Sequence, residues 1–392
     1  MLRIGINASF LRKINTGLGQ YSLNIIKSLL ELNKTNKNKV SYYLYAEEKT
    51  NLDLIPENEY LRKKIVETVF YKRDDLLRKA SWEKIFLPRA AIKDNVDIFF
   101  TPFNSASVFK TVRHVVTLHD MIWKVFESTY SNNLRKDIYF KKTFQAAKKA
   151  DHIITVSEYS KKEIIKYLKI PSSRISVIYN GIEEEFRVKL SKTAIKNKLE
   201  KFKIDSPYIF YIGGFEKRKN VELLLKTFKR LAATYKNVLA NRKLVLAGEI
   251  LKIKDPLITD VKKIIAELEI QDKVVLTGKI KNKDRTFLYQ GAEMFVYPSL
   301  YEGFGLPVAE AMASGCPVIA GSTSAIPEIG RTAIEYFNPN REDELIQRIL
   351  SLISNKKKQE VLSNRGIERA KLFDWQKAAQ KTFNVLTDKL QF

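Results

Sequence analysis

Short runs rich in β-branched and aromatic residues recur along this chain, each followed by an amphipathic helical stretch. That alternation restricts the fold to parallel sheets assembled from βαβ units. In the first half the runs are residues 2–8, 40–46, 98–101, 114–118, 153–156 and 175–179. In the second they are 208–212, 243–247, 273–277, 294–297 and 317–320, with helices such as 221–235 and 261–268 between them. A charged, poorly periodic stretch at 181–206 reads as a linker carrying a hinge, so 392 residues divide into domains at 1–185 and 186–373. The remaining segment, 374–392, holds a last periodic helix over 374–390. Asp374 is placed to cap that helix, which is expected to cross back to the first domain.

Parallel sheets present ligands at the carboxyl ends of their strands, where loops entering helices expose backbone N–H groups. Two such sheets are therefore expected to face each other across an interdomain cleft. The net charge of +25, spread over both halves, favours anionic partners but forms no basic tail of the kind that marks a nucleic-acid arm. A single cysteine and three histidines exclude a disulfide framework and a structural zinc cluster, and fit a reducing, cytoplasmic setting. No apolar run reaches the length of a membrane span.

The segment richest in chemistry is 296–321, VYPSLYEGFGLPVAEAMASGCPVIAG, which reads as strand, loop, short helix and strand. Gly303 and Gly305 let the backbone approach a ligand, and Pro307 suits a first helical turn, where no N–H partner is needed. Amides at such a helix mouth favour a phosphate, whereas Glu302 and Glu310 are suited to accepting sugar hydroxyls. Together they point to a nucleotide sugar; a core turn with two solvated glutamates is the bland alternative. Gly315 is expected to end the helix in a left-handed conformation before Pro317.

Residues 211–225, YIGGFEKRKNVELLL, read as strand, glycine turn and helix, with Lys217, Arg218 and Lys219 in the first helical turn. Cations there oppose the helix dipole. The arrangement makes sense if a diphosphate binds, since Arg grips its oxygens in bidentate fashion and Lys neutralises leaving-group charge. A solvated charge run explains the same string. Near the start, NTGLGQ (15–20) precedes a helix but lacks the third glycine of a dinucleotide-binding turn, Ser22 standing there, which disfavours an oxidoreductase.

His119 and Asp120 end the run HVVTLHD and belong at the carboxyl edge of the first sheet, where Asp120 either orients the ring or binds an acceptor. Ser157 with Glu158, and Asn180 with Gly181, occupy similar strand ends and read as structural. Cys316 has no histidine nearby in sequence and reads as a buried core thiol. No aspartate triplet of the DxD type is present to grip a diphosphate through a divalent metal.

The string EGFGLPVAEAMASGCPV resembles the signature of the retaining GT-B glycosyltransferases of family GT4, whose two glutamates are separated as Glu302 and Glu310 are. The resemblance extends over nearly the whole chain. It implies an α/β GT-B fold, two Rossmann-like parallel-sheet domains facing an interdomain cleft, with acceptor bound by the N-terminal domain and nucleotide sugar by the C-terminal one. It also implies that Glu310 binds the donor ribose, that Glu302 sits by the transferred sugar, and that the amides of Gly303, Phe304, Gly305 and Leu306 face donor oxygens. Lys219 matches the family's phosphate-binding lysine. The basic position before it falls on Gly214, which leaves Arg218 as the substitute. Gly17 and Gly19 match a glycine loop near donor phosphate and acceptor, and His119 matches an active-site histidine.

GGFEKRKN resembles the mannosyltransferase subgroup, so the resemblance implies a retaining, metal-independent transfer of a hexose, with mannose from GDP-mannose first and UDP-sugars second. The expected acceptor is a glycan or a polyprenyl-diphosphate-linked glycan in cell-surface polysaccharide synthesis, and no cofactor or metal is expected. The Lys-rich stretches 135–149 and 161–169 suit peripheral contact with an anionic membrane face, and suit solvated helix faces as well. A GT-B nucleotide-sugar epimerase would need no acceptor, and a catalytically silent glycan-binding subunit would keep the fold without turnover. A nucleic-acid-binding protein would explain the charge but not the two glutamates around a phosphate turn.

Overall fold

The computed structural model describes residues 1–35, 39–48, 51–68, 75–127, 134–250 and 255–388. The chain divides into two compact units: residues 1–181 together with 374–392, and residues 182–373. The division falls at Gly181, a little before residue 185.

Among the described residues of the first unit, seven strands form one sheet: β1 (Leu2–Asn7), β2 (Val40–Ala46), β3 (Leu61–Ile65), β4 (Ile98–Thr101), β5 (Arg113–Thr117), β6 (His152–Thr155) and β7 (Ile175–Val177). The order is β3-β2-β1-β4-β5-β6-β7, with every neighbouring pair parallel. Strand β4, IFFT, is buried along its whole length, as expected where helices cover both faces of a sheet. The order reverses direction between β1 and β4, and such switch points open a crevice at the carboxyl ends of the two strands.

The second unit repeats the plan with β8 (Tyr208–Ile212), β9 (Lys243–Ala247), β10 (Val274–Gly278), β11 (Met294–Tyr297), β12 (Val318–Gly321) and β13 (Glu335–Phe337). These run in the order β10-β9-β8-β11-β12-β13, again all parallel. Its switch point lies between β8 and β11. Strands β3 and β13 have no counterpart among the runs read from the sequence. Both are sheet edges, and β3 (LRKKI) exposes most of its side chains, so neither needs a long apolar run.

The stretch read as a linker is folded. Phe186 is buried, Ser191 caps the helix Lys192–Lys201, and that helix packs on Asn282–Gly291 with Lys198 bonded to Asp284 at 2.7 Å. Its exposed charges hide its period, because only a few of its residues turn inward.

The final helix runs Trp375–Thr387, and residues 389–392, including Leu390, lie outside the described residues. Asp374 caps it by accepting a 2.7 Å bond from the Lys377 amide. The helix packs on Gly17–Thr35, with the Tyr21 and Trp375 rings 5.8 Å apart. The Arg113 guanidinium donates to the carbonyls of Val385, Leu386 and Asp388, tying the helix end to the sheet. Gly181 sits under the start of this helix: a Cβ there would lie 2.3 Å from Trp375 Cγ and 2.4 Å from its backbone nitrogen. Gly181→Ala is therefore expected to destabilise the chain by about 1–3 kcal/mol through overpacking. Denaturant unfolding checks this, with Gly17→Ala, whose added Cβ would meet nothing within 4 Å, as the near-neutral comparison.

Candidate active site

The second unit's switch point is built by the loops that leave β8 and β11. After β8 the chain passes Gly213 and Gly214 and enters a 3-10 turn, Lys217–Lys219. Asn220, in the left-handed conformation at φ 56°, separates this turn from the helix Val221–Thr234. The three cations thus precede the helix and do not occupy its first turn, so their placement rests on tertiary contacts, not on the helix dipole. The carboxylate of Glu216 folds over Gly214: a Cβ at Gly214 would lie 2.4 Å from Glu216 Oε2. Where the family pattern has a basic side chain, this chain has glycine with a carboxylate filling its space.

The loop leaving β11 is tied to that turn through the backbone, Leu300 N–H donating to the Arg218 carbonyl at 2.7 Å. Glu302 is thereby brought onto the cations. Its Oε1 accepts from Lys219 Nζ at 2.6 Å, Ser299 Oγ at 2.7 Å, Tyr297 OH at 3.0 Å and Arg218 Nη1 at 3.2 Å. Lys219 also donates to Tyr297 OH at 2.6 Å, and its ammonium lies 5.1 Å from the centre of the Tyr297 ring.

Burial alone would raise the Glu302 pKa, yet Lys219 and Arg218 hold it at about 2. Burial and repulsion from Arg218 together lower the Lys219 pKa despite Glu302. The two directions agree: both cations bear on one carboxylate oxygen, which holds the anion well, while Lys219 also feels burial and its cationic neighbour. Glu216 also stands 4.0 Å from Arg218.

Glu310 lies in a second group. It sits on the helix Leu306–Ala313, 5% exposed, accepting from Arg285 Nη1 at 3.2 Å and from Tyr289 OH at 2.9 Å. Burial works against the Arg285 charge, but Glu310 beside it raises its pKa. Two accepted bonds leave a carboxylate with lone pairs for further donors. Rings join the two groups: Tyr289 meets Phe295 edge-on at 5.3 Å, and Phe295 stacks on Tyr297 at 5.7 Å. Arg285, Tyr289, Tyr297 and Ser299 were not singled out from the sequence. Arg285 and Tyr289 stand one helical turn apart, so their shared face was the available signal.

Gly303, Phe304 and Gly305 are buried, and the Phe304 ring turns inward onto Phe373 at 5.4 Å. Gly305 holds φ 98° at the helix N-cap, where a Cβ would approach Ile326 Cδ1 to 2.5 Å, and Leu306 opens the helix. The helix ends as expected in a left-handed Gly315, φ 71°, with Gly315 N–H bonded to the Met312 carbonyl and Cys316 N–H to that of Ala311. Cys316 is buried, and burial raises its thiol pKa.

In the first unit, His119 is buried after β5. Its Nε2 lies 3.0 Å from the Pro102 carbonyl, which fixes that nitrogen as the protonated one and leaves Nδ1 to accept. Burial lowers its pKa to about 4, so the ring is neutral at pH 7, and it meets Tyr21 edge-on at 4.5 Å. Asp120 Oδ1 accepts from the Ile122 amide at 3.0 Å.

Gly17 and Gly19 are not in a loop; both lie in the first turn of the helix Gly17–Thr35. Gly19 is packed so that a Cβ would fall 2.2 Å from the Lys13 carbonyl, whereas Gly17 faces open space. Ser157 caps the helix Glu158–Leu168 by accepting from the Ser160 amide. Among the described residues no three His, Cys, Asp or Glu side chains gather in a way that could hold a metal ion.

Two family models match the chain: "Glycosyltransferase Family 4" over residues 40–186 and "Glycosyl transferases group 1" over residues 191–369. O-antigen chain mannosyltransferase B of Escherichia coli is 28% identical over 379 residues, 94% of this chain and 95% of its own. O-antigen chain mannosyltransferase RfbU of Salmonella typhimurium is 25% identical over 343 residues, 86% and 87% of the two chains. The solved structure of Anabaena HepE in complex with UDP and glucose superposes with a TM-score of 0.74 at 18% identity, covering 99% of this chain and 100% of that one.

The charge balance at Glu302 has a measurable consequence. Its folded-state pKa, about 2, lies below the unfolded value of about 4.5, so its ionised form contributes stability that is complete above pH 4.5 and is lost as the pH falls toward 2. Glu302→Gln is expected to cost on the order of 3 kcal/mol at pH 7. The gap from the parent chain should narrow on acidification below pH 4.5. Denaturant titrations at stepped pH read this, and a gap constant from pH 7 to 3 would contradict the assignment.

Proposed function

Because the chain belongs to the GT-B glycosyltransferases, we propose that it moves a hexose from a nucleoside diphosphate sugar to an acceptor hydroxyl with retention at the anomeric carbon. The observation that carries this reading is the pair of cations, Arg218 and Lys219, held side by side against Glu302 at the switch point between β8 and β11. A diphosphate is the ligand whose charge would complete that arrangement. Donors positioned before the reaction begins stabilise leaving-group charge without reorganising.

In this scheme Arg218 and Lys219 receive the departing diphosphate, aided by the amides from Gly303 to Leu306. Glu310 takes the ribose hydroxyls on its remaining lone pairs, with Arg285 and Tyr289 fixing its orientation. Glu302 is held ionised and aims the cations. The bond from the anomeric carbon to the diphosphate oxygen breaks, a bond from that carbon to the acceptor oxygen forms on the same face, and the acceptor proton passes to the leaving oxygen. No step requires a divalent ion, because the cations occupy that role.

His119 serves as a hydrogen-bond acceptor for a sugar hydroxyl through Nδ1. Asp120 and the open first turn at Gly17 belong to the acceptor or phosphate side, whereas the packing of Gly19 is explained by the helix start.

The mannosyltransferase names of two relatives support mannose, and with it GDP-mannose, as the donor. UDP in the Anabaena neighbour makes a UDP-sugar the second choice. A glycan or polyprenyl-diphosphate-linked glycan is the acceptor this reading favours, in cell-surface polysaccharide synthesis on the cytoplasmic face. The helix Leu134–Lys149 exposes Lys141, Lys142, Lys148 and Lys149 beside Leu134 and Ile138, which supports docking on anionic lipid; the side chains of Arg135 and Lys136 lie outside the described residues. No described helix is long and apolar enough to cross a membrane.

A thermal-shift panel of GDP, UDP and ADP, each with several sugars, identifies the donor by the largest upward shift. With that donor, Lys219→Ala is expected to lower kcat by roughly a hundredfold or more while KM changes little. EDTA is expected to leave the rate unchanged. Normal turnover in a folded Lys219→Ala chain would remove its assigned role, and strict dependence on magnesium or manganese would remove the metal-free scheme. Co-sedimentation with phosphatidylglycerol vesicles at low salt tests the docking, which its absence would dismiss.

A further inference from the structure

The first unit has its own switch point, between β1 and β4, and an ionisable group lies buried there that the scheme above does not use. Phe10 follows β1 and Phe103 follows β4, their rings 4.8 Å apart. Lys79, on the helix Asp75–Ser81, sets its ammonium 5.6 Å and 5.9 Å from the centres of these two rings and 4.6 Å from that of Tyr139. Its side chain is 15% exposed. Three rings around a cation stabilise it, but they accept none of its three N–H bonds in the way an oxygen does.

Two carboxylates act on it, Glu83 and Glu47; Glu47 pairs with Arg78 at 3.2 Å, and Glu83 is committed elsewhere. Its oxygens accept from the Ala106 amide at 3.0 Å and from Tyr139 OH at 3.1 and 3.2 Å, while Lys79 Nζ stands 3.9 Å off, beyond hydrogen-bond reach. Glu83 lies wholly buried in a π-helical segment, Trp82–Phe86; such bulges are frequent at functional sites. Among the described residues no oxygen accepts a hydrogen bond from Lys79.

Two further groups in the same strand-end region lack partners. Asn7, which ends β1 and is wholly buried, has an unpaired Nδ2, and Asn104, beside Phe103, has an unpaired Oδ1. Arg12 and Lys13, also following β1, act electrostatically on Lys79 and, with burial, lower its pKa. Leaving this much polar capacity unmet is costly to the fold alone, and a ligand supplying anionic oxygens to the donors and a hydroxyl to Asn104 Oδ1 would explain it.

We propose that this corner binds the acceptor through an anionic group, a phosphoryl or carboxylate oxygen received by Lys79, with Phe10 and Phe103 carrying the apolar face of the adjoining sugar. The proposal deepens the glycosyltransferase reading and rests on it, since it specifies the chemical class of the acceptor. Glu83 is then a positioning residue that fixes Tyr139 and the loop after β4, which leaves the Lys79 charge for the ligand.

Calorimetric titration of the whole chain tests this with three probes: geranyl diphosphate, octyl glucuronide and the neutral octyl mannoside. At least one anionic probe is expected to bind more tightly than the mannoside and to bind Lys79→Met about tenfold or more weaker. Lys226→Ala, which removes an exposed charge of the second unit, is expected to leave that affinity unchanged. Preference for the diphosphate or for the glucuronide tells a lipid-linked phosphate from an acidic sugar. Lys79→Arg keeps the cation and is expected to retain at least about a third of the affinity.

The proposal is overturned if neither anionic probe binds, if Lys79→Met binds as the parent does, if Lys79→Arg loses as much as Lys79→Met, or if Lys226→Ala loses binding as Lys79→Met does. Failure of the glycosyltransferase reading would show separately, as absent turnover of every nucleotide sugar with these affinities intact.

Discussion

A single oxygen atom, Oε1 of Glu302, joins the parts of the second unit that the chemistry needs. Four donors converge on it: two from the turn after β8, one from the end of β11 and one from the loop beyond. Breaking any one partner would leave a buried charge less compensated, so the loops are locked to each other by the cost of separating them. The same convergence explains the opposite protonation tendencies of the pair. The carboxylate sees two cations, whereas Lys219 is buried and repelled by Arg218 as well as attracted by Glu302.

The cations fixed at Glu302 are distinct from the net charge of the chain. Surface lysines spread over both units are screened by water and salt, and contribute little to binding at a given point. Arg218 and Lys219 are fixed and largely dehydrated, so an incoming anion gains more from them than from many exposed lysines. The aromatic run from Tyr289 through Phe295 to Tyr297 extends the rigidity to Glu310. Each of its terminal hydroxyls donates to one of the two glutamates, so β11 and the helix Asn282–Gly291 position both carboxylates from one packed core.

Central strands were legible because burial on both faces demands continuous apolar runs, as in IFFT of β4 and MFVY of β11. The edges β3 and β13 were not, since LRKKI and EYF pair on one side only and tolerate charge. The two glutamates, Lys219 and the Gly315 stop could be read because each sits in a contiguous string whose spacing carries its meaning. Arg285 and Tyr289 share a helical face, but their link to Glu310 is made across the fold, and that spacing alone does not announce it. The turn at Lys217–Lys219 reads as helix in sequence because basic residues do not break helices; Asn220, one of the few residue types at ease in the left-handed region, is the signal of a boundary.

Both units gather cations at the same topological position, and under the proposed function the kind of site differs in a way that suits two substrates. In the second unit the cations are balanced in part by a carboxylate within hydrogen-bond distance, which permits a dianionic group to enter and leave. In the first unit the cation is held by rings, with unpaired amide atoms of Asn7 and Asn104 nearby, a combination that suits a hydroxylated ligand bearing a single anionic group. Holding such groups ready lowers the stability of the empty fold. That cost is tolerable only if ligands recover it, which is why sites of this type concentrate where the sheet order reverses and the backbone leaves room.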